Sequence, residues 1–432
     1  MGMTRRHVSR RQVLGAAAGA VAFPYIVPSS VFGAAAPSGK ITMGCIGVGS
    51  QGSGNMNGFL DKEDDARILA VCDVDKGHRD AAKRRVDEKY GNSDCATYHD
   101  FRELIARDDI DALSLALPDH WHSIPVIMAA RAGKDMYGEK PLARTIHEGK
   151  MMVEAVHRYD RIWQTGSWQR SQENFHHACE LVRNGRIGKV TRVEVGLPSG
   201  GATGNPPVSP VPEGLDWDFW LGPAPWRPFT KYGGNAPHWD WRWIMDYSGG
   251  QLTDWAGHHI DIAHWGLGLE DTGPVEIEGE GVFPKDGIYD VPTEYKFTCK
   301  YANGVEMIVA SDRLVPKGMG AVWYGDKGWI HVDRGRQATN PPELWNEKIG
   351  PGEMRLYESR DHQQNFLDCV KTRKKTITPI EVAYRSISVG HLGEIAMLLG
   401  RKIHWDPDKQ VFVNDDAANR MLSRPMRAPW HL

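Results

Sequence analysis

The feature that most constrains the fold is a glycine-rich turn placed directly after a short apolar run. Residues 40–46 have the composition of a buried strand, and they lead into a turn with glycine at Gly47, Gly49 and Gly52. In this pattern the first glycine permits a tight turn, the second lets the backbone approach a pyrophosphate, and the third lets the next helix pack on the strand. The turn therefore predicts a βαβ unit that binds a dinucleotide at the N-terminus of its first helix.

A second apolar run ends in a carboxylate where such a unit binds a ribose. Residues 68–72 form the second predicted strand, and Asp73 follows them, about 20 residues beyond the last glycine. A carboxylate there accepts hydrogen bonds from ribose hydroxyls and repels a 2′-phosphate, so NAD is favoured, while Lys76 and Arg79 keep NADP open. The predicted cofactor contacts in this unit are Gly47, Gly49, Gln51, Gly52 and Asp73.

Two further segments follow predicted strands of the same sheet. Strand 110–117 leads into the run from Pro118 to His122, and residues 135–138 lead into Glu139-Lys140-Pro141. Ligands of an open parallel sheet bind at the carboxyl ends of its strands, so both segments are expected beside the nicotinamide end of the cofactor. We predict contacts there from Pro118, His122, Glu139 and Lys140.

The segment from Gly249 to Asp261 combines acidic residues and histidine on a predicted helix. Asp254, His258 and Asp261 are spaced i, i+4 and i+7, and on a regular α-helix they share one face. The spacing predicts a polar site on that face.

Together these motifs resemble the glucose–fructose oxidoreductase and inositol dehydrogenase family, often called Gfo/Idh/MocA. The resemblance is carried by the glycine turn, the 118–122 and 139–141 segments, and the 249–261 segment, and it covers essentially all of the chain after residue 36. It implies a sugar or polyol oxidoreductase that uses NAD or NADP. It also implies that Lys140, Asp254 and His258 are the catalytic residues and that the protein is a homodimer or homotetramer.

The residue types at these positions agree with that chemistry. Oxidation of a carbinol needs a base for the hydroxyl proton, and histidine has a suitable ordinary pKa, as expected for His258. Lys140 can hold the hydroxyl oxygen and stabilise the charge that develops there. Asp254 is expected to bind a neighbouring hydroxyl or to tune the other two groups.

A tryptophan-rich stretch suggests how a sugar is bound. Trp239, Trp241 and Trp243 alternate beside Asp240 and Arg242. Aromatic faces stack on the CH faces of a sugar ring, and charged groups bind its hydroxyls. We predict substrate contacts from Trp241, Arg242 and, on the following helix, His259. The alternative, that these tryptophans form a subunit interface or an internal core, stays open.

Histidines raise two further possibilities. His120 and His122 are expected to line the cofactor cleft as polar groups rather than to act in catalysis. A metal site was also considered, drawing on His120, His122, His258, His259 and His264. These histidines lack the spacing of known metal motifs, so the sequence predicts no metal.

The predicted fold class is α/β. An N-terminal Rossmann domain with a parallel sheet precedes a C-terminal α+β domain with a large, mostly antiparallel open sheet. The predicted boundaries are 1–36 for a signal peptide, 37–144 for the NAD(P)-binding domain, 145–400 for the substrate domain and 401–432 for a C-terminal extension.

The first 36 residues have the form of an export signal. Arg10 and Arg11 precede an apolar run and the small residues 33–36, which is the pattern of a twin-arginine signal peptide. The sequence therefore predicts an exported, periplasmic protein that meets the twin-arginine translocation machinery. Free nicotinamide is scarce outside the cytoplasm, so a tightly bound cofactor that recycles its own hydride is expected.

Charge and alternative functions complete the prediction. The formal net charge of −3 provides no basic surface for nucleic acid. The main rival to a sugar oxidoreductase is an NAD-dependent glycosidase, which oxidises its sugar only transiently. A non-catalytic sugar-binding protein on a Rossmann fold is the third hypothesis.

Overall fold

The chain folds around two β-sheets, as seen in a computed structural model that describes residues 39–231 and 237–432. The predicted signal peptide lies outside these residues. Within the described ranges, every helix is too short or too polar to cross a bilayer. The predicted α/β class is confirmed, with a parallel first sheet and a mostly antiparallel second one.

The first sheet contains six parallel strands in the order β3-β2-β1-β4-β5-β6. Its strands are β1 (Ile41–Ile46), β2 (Ala66–Cys72), β3 (Ala96–Tyr98), β4 (Ala112–Leu115), β5 (Asp135–Gly138) and β6 (Trp163–Thr165). The helices between and after them are α1 (Ser50–Leu60), α2 (Lys76–Tyr90), α3 (Phe101–Ile105), α4 (Ser123–Arg131) and α5 (Ile146–Arg158). The order reverses between β1 and β4, the crevice where ligands of such sheets bind.

Side-chain caps fix where these helices begin. Asp75 accepts hydrogen bonds from the first backbone N–H groups of α2, and Thr145 does the same for α5. An oxygen at this position satisfies donors that the helix itself leaves unpaired. The Glu148 carboxylate of α5 pairs with Arg424. The C-terminal residues thereby anchor to the helix between β5 and β6.

The second sheet has nine strands, and only the β7–β10 pair is parallel. Its strands are β7 (Val190–Leu197), β8 (Glu276–Val282), β9 (Glu294–Lys300), β10 (Glu306–Ser311), β11 (Gly320–Gly325), β12 (Gly328–Asp333), β13 (Arg336–Asn340), β14 (Ile403–Asp406) and β15 (Val411–Phe412). The helices of this half are α6 (Glu173–Arg183), α7 (Trp217–Leu221), α8 (Gly250–Trp255), α9 (Asp261–Leu267), α10 (His362–Thr372), α11 (Ile380–Leu399) and α12 (Asp416–Arg420).

The structure moves two of the predicted boundaries. β6 pairs with β5 in the parallel sheet, so the Rossmann unit continues past residue 144 and the boundary there was wrong. The predicted extension 401–432 supplies β14 and β15 to the second sheet. Helix α10 returns to the first domain, because its Phe366 and Val370 are buried with residues of β1 and α1. The first domain is therefore not one continuous stretch of chain, because α10 from the C-terminal half packs into it.

The helix predicted across residues 254–261 is interrupted. A π-helical turn occupies Ala256–Ile260 between α8 and α9. Such a turn holds its hydrogen bonds over one residue more than an α-helix and is frequent at functional sites. The hydroxyl of Ser167, which follows β6, donates to the carbonyl oxygen of Gly257 at 2.7 Å. The turn is therefore fastened to the first domain.

Candidate functional site

A cavity of about 480 Å³ lies at the carboxyl edge of the first sheet. On one side it is lined by the tryptophan-rich segment, residues 199–231 and 237–247, through Phe219, Trp220, His238, Trp239, Trp241 and Arg242. Most of the predicted site residues line it: Gly47, Gly49, Gln51, Gly52, Asp73, Pro118, Glu139, Lys140, Trp241 and Arg242. The cavity is thus shared between the glycine turn and the tryptophan-rich segment.

The glycine turn is shaped to receive a ligand. Gly47 has φ of +76°, and a Cβ on Gly52 would lie 1.9 Å from the carbonyl oxygen of Gly47. Both positions require glycine for the turn itself. At Gly49 an added Cβ would meet the ring of His78 at a tight 3.3 Å but no backbone atom, so this residue is not required to be glycine by the turn itself. These roles fit the approach of a dinucleotide pyrophosphate to the turn and to the N-terminus of α1.

Asp73 stands at the end of β2 and is held by the backbone. Its two carboxylate oxygens accept hydrogen bonds from Val48 N and Asp75 N, each at 2.9 Å. A carboxylate has about four acceptor sites, so both oxygens keep capacity for ribose hydroxyls. The predicted position is therefore compatible with a bound ribose.

The loop that carries Lys140 is fixed from several sides. The Glu139 carboxylate accepts from Gln51 at 3.1 Å and from Asn55 at 2.9 Å, which ties the loop to α1. Both ring nitrogens of His122 face backbone carbonyl oxygens, of Pro141 at 2.8 Å and Leu117 at 2.7 Å. The His122 ring joins the two loops, and its nitrogens are not free for the direct cofactor contact predicted for it.

Lys140 and Asp254 meet at the end of the cavity. Lys140 Nζ donates to Asp254 Oδ1 at 3.0 Å, and Arg242 Nε lies 3.6 Å from the same oxygen. Burial would raise the pKa of Asp254, but the two cations outweigh it and hold the pKa below its ordinary value. The site therefore contains an ionised carboxylate that positions an ammonium group.

His258 lies on the π-helical turn beside this pair. It is only 4% exposed, and its Nδ1 is buried without a hydrogen-bond partner in the described part of the chain. Burial, with the charges of Lys140 and Arg334 adding to it, holds the pKa of His258 well below the ordinary value. A neutral imidazole can accept a proton, so the geometry offers a base next to a cation.

Asp261 does not share the face of Asp254 and His258, contrary to the helical spacing. Its carboxylate is buried and pairs with both Nε and Nη2 of Arg170, at 2.6 and 2.8 Å. It also accepts from Ser386 Oγ at 2.8 Å. The wide π-helical turn changes the phase of the helix after His258, and this shift explains the error. Asp261 has a structural role.

Other predicted histidines also lie away from the cavity lining. His259 is fully buried, with its Nε2 3.5 Å from the Asp333 carboxylate, and burial is the main cause that lowers its pKa. His120 faces the carbonyl oxygen of Trp220, and His264 faces the hydroxyl of Tyr301. Of the five histidines that are candidates for a metal site, all except His258 thus have separate partners.

Within residues 39–231 and 237–432, a different group of side chains lies close enough together to hold a metal ion. It consists of Asp75, His78 and His238, whose ligand atoms lie within 4.8 Å of one another. His238 Nε2 is 3.0 Å from the Asp75 carboxylate, and the rings of His78 and His238 lie against each other at an angle of 51°, with centroids 4.3 Å apart. These contacts join the tryptophan-rich segment to α2 at the rim of the cavity.

Sequence reasoning missed several groups at this end of the molecule. Asp119 is buried and accepts from Ser248 Oγ at 2.6 Å, and burial raises its pKa to about 7. Arg334 lies in the turn between β12 and β13, and its guanidinium sits over the rings of Trp168 and Trp255. Arg334 belongs to no sequence motif. Asp119 lies in the polar run 118–122, where only Pro118 and the histidines were predicted to line the cofactor cleft.

Comparison with known proteins agrees with this architecture. Residues 41–167 match the model of the oxidoreductase family NAD-binding Rossmann fold, and residues 186–432 match its C-terminal alpha/beta domain. Myo-inositol 2-dehydrogenase of Thermotoga maritima is 26% identical over 363 residues, which is 83% of this chain and 93% of that protein.

Two further relatives differ in how much they share. Glycosyl hydrolase family 109 protein 2 of Shewanella sp. (strain ANA-3) is 35% identical over 130 residues, 29% of this chain and 28% of that protein. The structure of aldose-aldose oxidoreductase from Caulobacter crescentus superposes with a TM-score of 0.61 at 19% identity, covering 84% of this chain and 99% of the other. Since the family models span both domains, the chain belongs to the Gfo/Idh/MocA oxidoreductase family, with an NAD-binding Rossmann domain.

Proposed function

We propose that the protein transfers hydride between a nicotinamide cofactor and a carbinol carbon of a sugar or polyol. The observation that carries the proposal is the group of Lys140, Asp254 and His258 beside the end of a cavity that fits a dinucleotide. Relatives named for myo-inositol and for aldoses support this substrate class.

The chemistry divides between these residues. The cofactor, when bound, accepts the hydride from the carbinol carbon. Neutral His258 takes the hydroxyl proton, while Lys140 Nζ holds the oxygen and stabilises its developing negative charge. Asp254 is a positioning residue, because its carboxylate fixes the ammonium group at 3.0 Å. The product is a carbonyl, and the reverse sequence returns proton and hydride.

NAD, retained through many turnovers, is the cofactor that the site favours. Asp73 disfavours a 2′-phosphate, and the tryptophan-rich segment crosses from the second domain to the first. Its Gly214 O accepts from Lys76 N at 2.9 Å, its Asp216 carboxylate lies 2.9 Å from His99 Nε2, and His238 contacts Asp75. These contacts would have to open for a dinucleotide to leave, which suits a protein that works outside the cytoplasm.

An NAD-dependent glycosidase is the second candidate, because two glycosyl hydrolase family 109 proteins are 35% and 32% identical over 29% and 35% of the chain. In that reaction oxidation of one carbinol acidifies a neighbouring C–H, the aglycone leaves by elimination, water adds across the resulting double bond, and the hydride then returns to the carbonyl carbon. The extra acid–base group it needs could be Asp119, whose pKa of about 7 suits proton transfer near neutral pH.

The first experiment is to purify the protein without added nucleotide and to follow its absorbance while sugars and glycosides are added. A 340 nm band that rises with a sugar and decays with a second, carbonyl sugar supports a self-recycling oxidoreductase. Release of an aglycone with no lasting band supports the glycosidase. Mass spectrometry first establishes that the purified protein contains nicotinamide. If such protein then shows neither a 340 nm band nor release of an aglycone, both the oxidoreductase and the glycosidase are refuted, and a binding protein is favoured.

Export and assembly are separate parts of the proposal. Cell fractionation of the full chain, with Arg10 and Arg11 both changed to Lys as a control, tests twin-arginine export to the periplasm. For a homodimer or homotetramer we propose contact through the outer face of the second sheet, where alternate residues of β9 such as Lys296 and Lys300 are exposed. Light scattering of the purified protein tests that assembly.

A further inference from the structure

Two arginines near the proposed catalytic group are each held between two tryptophan rings. The guanidinium carbon of Arg242 lies 4.3 and 4.4 Å from the ring centroids of Trp239 and Trp241. That of Arg334 lies 4.5 Å from the centroids of both Trp168 and Trp255. Aromatic rings stacked on a guanidinium cover its two faces, while the N–H groups at its edge stay available as hydrogen-bond donors. These donors suit a ligand group that presents two oxygens side by side.

The edges of the two arginines are used differently. Arg242 is placed 3.6 Å from Asp254, so its charge is already shared with a carboxylate. Arg334 makes no ion pair with any described residue, and its Nε is buried without a hydrogen-bond partner. The adjacent Asp333 is engaged by Arg336 and by His259. Burying a guanidinium N–H group without a hydrogen-bond partner costs free energy, and a ligand that accepts its hydrogen bond would remove that cost.

Arg334 is also close to the reacting groups. Trp168 and Trp255, which hold its guanidinium, pack on His258 with ring centroids 6.3 and 5.4 Å away. Lys140, Arg242, Arg334 and Arg336 contribute four positive charges around the ionised carboxylates of Asp254 and Asp333, while His258 is neutral. This excess of positive charge is placed where the substrate of the proposed reaction would lie.

We propose that the substrate is an acidic sugar and that Arg334 binds its oxyanion group, a carboxylate, through the edge of the guanidinium. The inference rests on the proposed hydride transfer at the same site and specifies its substrate class. A carboxylate is favoured over a phosphate ester because its single negative charge is balanced by the one guanidinium that lacks an ion pair, whereas a phosphate monoester carries close to two negative charges at neutral pH.

The test compares matched sugars on the NAD-loaded protein. Binding of D-glucose, D-glucuronate, D-galactose, D-galacturonate and glucose 6-phosphate is measured by calorimetry, and the 340 nm band is recorded separately. We expect each uronate to bind at least 10-fold more tightly than its neutral counterpart. Arg334→Gln should remove that preference and leave the neutral sugars unchanged, and Arg334→Lys should keep part of it. Arg192→Gln is the matched control, because Arg192 also stacks on an aromatic ring, Tyr324, but on the second sheet.

The outcomes separate this inference from the proposed function. Equal binding of uronates and neutral sugars, or an unchanged preference in Arg334→Gln, would overturn the inference even if a neutral sugar produces the 340 nm band. If Arg334→Gln loses the preference for uronates and no sugar produces a 340 nm band, the acidic ligand is supported and the hydride transfer is refuted. Preference for glucose 6-phosphate over both uronates would refute the carboxylate.

Discussion

At one end of the cavity a ligand would meet main chain, and at the other it would meet charged side chains. The glycine turn, with Asp73 beside it, comes from a few dozen consecutive residues and needs glycine for the shape of the turn itself. The catalytic end gathers Lys140, Asp254 and His258 with arginines from the tryptophan-rich segment and from the β12–β13 turn. The cofactor end is thus defined by backbone shape, and the catalytic end by the mutual electrostatics of distant residues.

The comparison implies that the two ends fail differently when they are changed. Removing a side chain at the catalytic end should affect the chemical step and leave cofactor affinity intact. Adding a side chain at the cofactor end should do the reverse. The following changes test this separation, beginning with the largest expected effect.

Replacing His258 by Gln should lower kcat by about 10³-fold, because the variant has no base for the hydroxyl proton. The 340 nm rate with an active sugar measures the loss, and quenching of protein fluorescence measures NAD affinity, which should stay within a few-fold. A drop in kcat of less than 10-fold would mean that another group is the base.

Lys140→Met should lower kcat by about 10²-fold, since the alkyl stem remains and only the ammonium that stabilises the oxyanion is removed. The same two assays apply. Lys83→Met, which removes a surface lysine paired with Asp87, is the control and should leave kcat unchanged. Loss of NAD binding in Lys140→Met would break the separation between the two ends.

Two glycine substitutions probe the cofactor end. Gly49→Ala should weaken NAD binding by about 10-fold with little change in unfolding free energy, since the new Cβ enters the space expected for pyrophosphate. Gly52→Ala should instead lower the unfolding free energy by about 1–3 kcal/mol, because its Cβ would collide with Gly47 O. Urea denaturation and NAD titration of both variants check this; the same defect in both would contradict it.

The pH dependence should show the smallest change. The base must be neutral to act, and the pKa of His258 is held well below its ordinary value. We therefore expect kcat/KM with a neutral sugar to stay level as the pH falls through 6.5 and to drop only at lower pH. Arg334→Gln removes one of the causes, so the acidic limb should move to higher pH. Any inflection near pH 7 that disappears in Asp119→Asn belongs to that carboxyl group. An acidic limb at the ordinary histidine pKa would contradict a desolvated base.

The sequence predicted most reliably what depends on neighbouring residues. The glycine turn and the position of Asp73 at the end of the second strand each follow from local spacing, and the structure contains both. Lys140, Asp254 and His258 came from family resemblance, and the structure brings the three together. Periodicity failed at Asp261, because it assumes a regular α-helix and the chain has a π-helical turn there.

What depends on distant pairing was not predicted. The boundary at residue 144 was wrong because β6 is only three residues long and is recognised by its partner β5 rather than by its composition. Arg334 was missed because a turn between two strands gives no sign that Trp168, far away in sequence, will lie against it. The tryptophans at 239 and 241 were expected to stack on a sugar or to form a subunit interface or an internal core, and their contact with the Arg242 guanidinium was not predicted.

The π-helical turn places one more residue between Asp254 and Asp261 than a regular α-helix would need for the same rotation. Deleting one residue from Ala256–Ile260 would let the helix close regularly and would keep Asp261 on Arg170, so the buried ion pair would survive. The residues inside the turn, His258 among them, would instead be displaced relative to Lys140 and Asp254. The extra residue thus serves the position of the proposed base and not the stability of the fold, and protein engineering of the substrate pocket should preserve the residue count between Asp254 and Asp261.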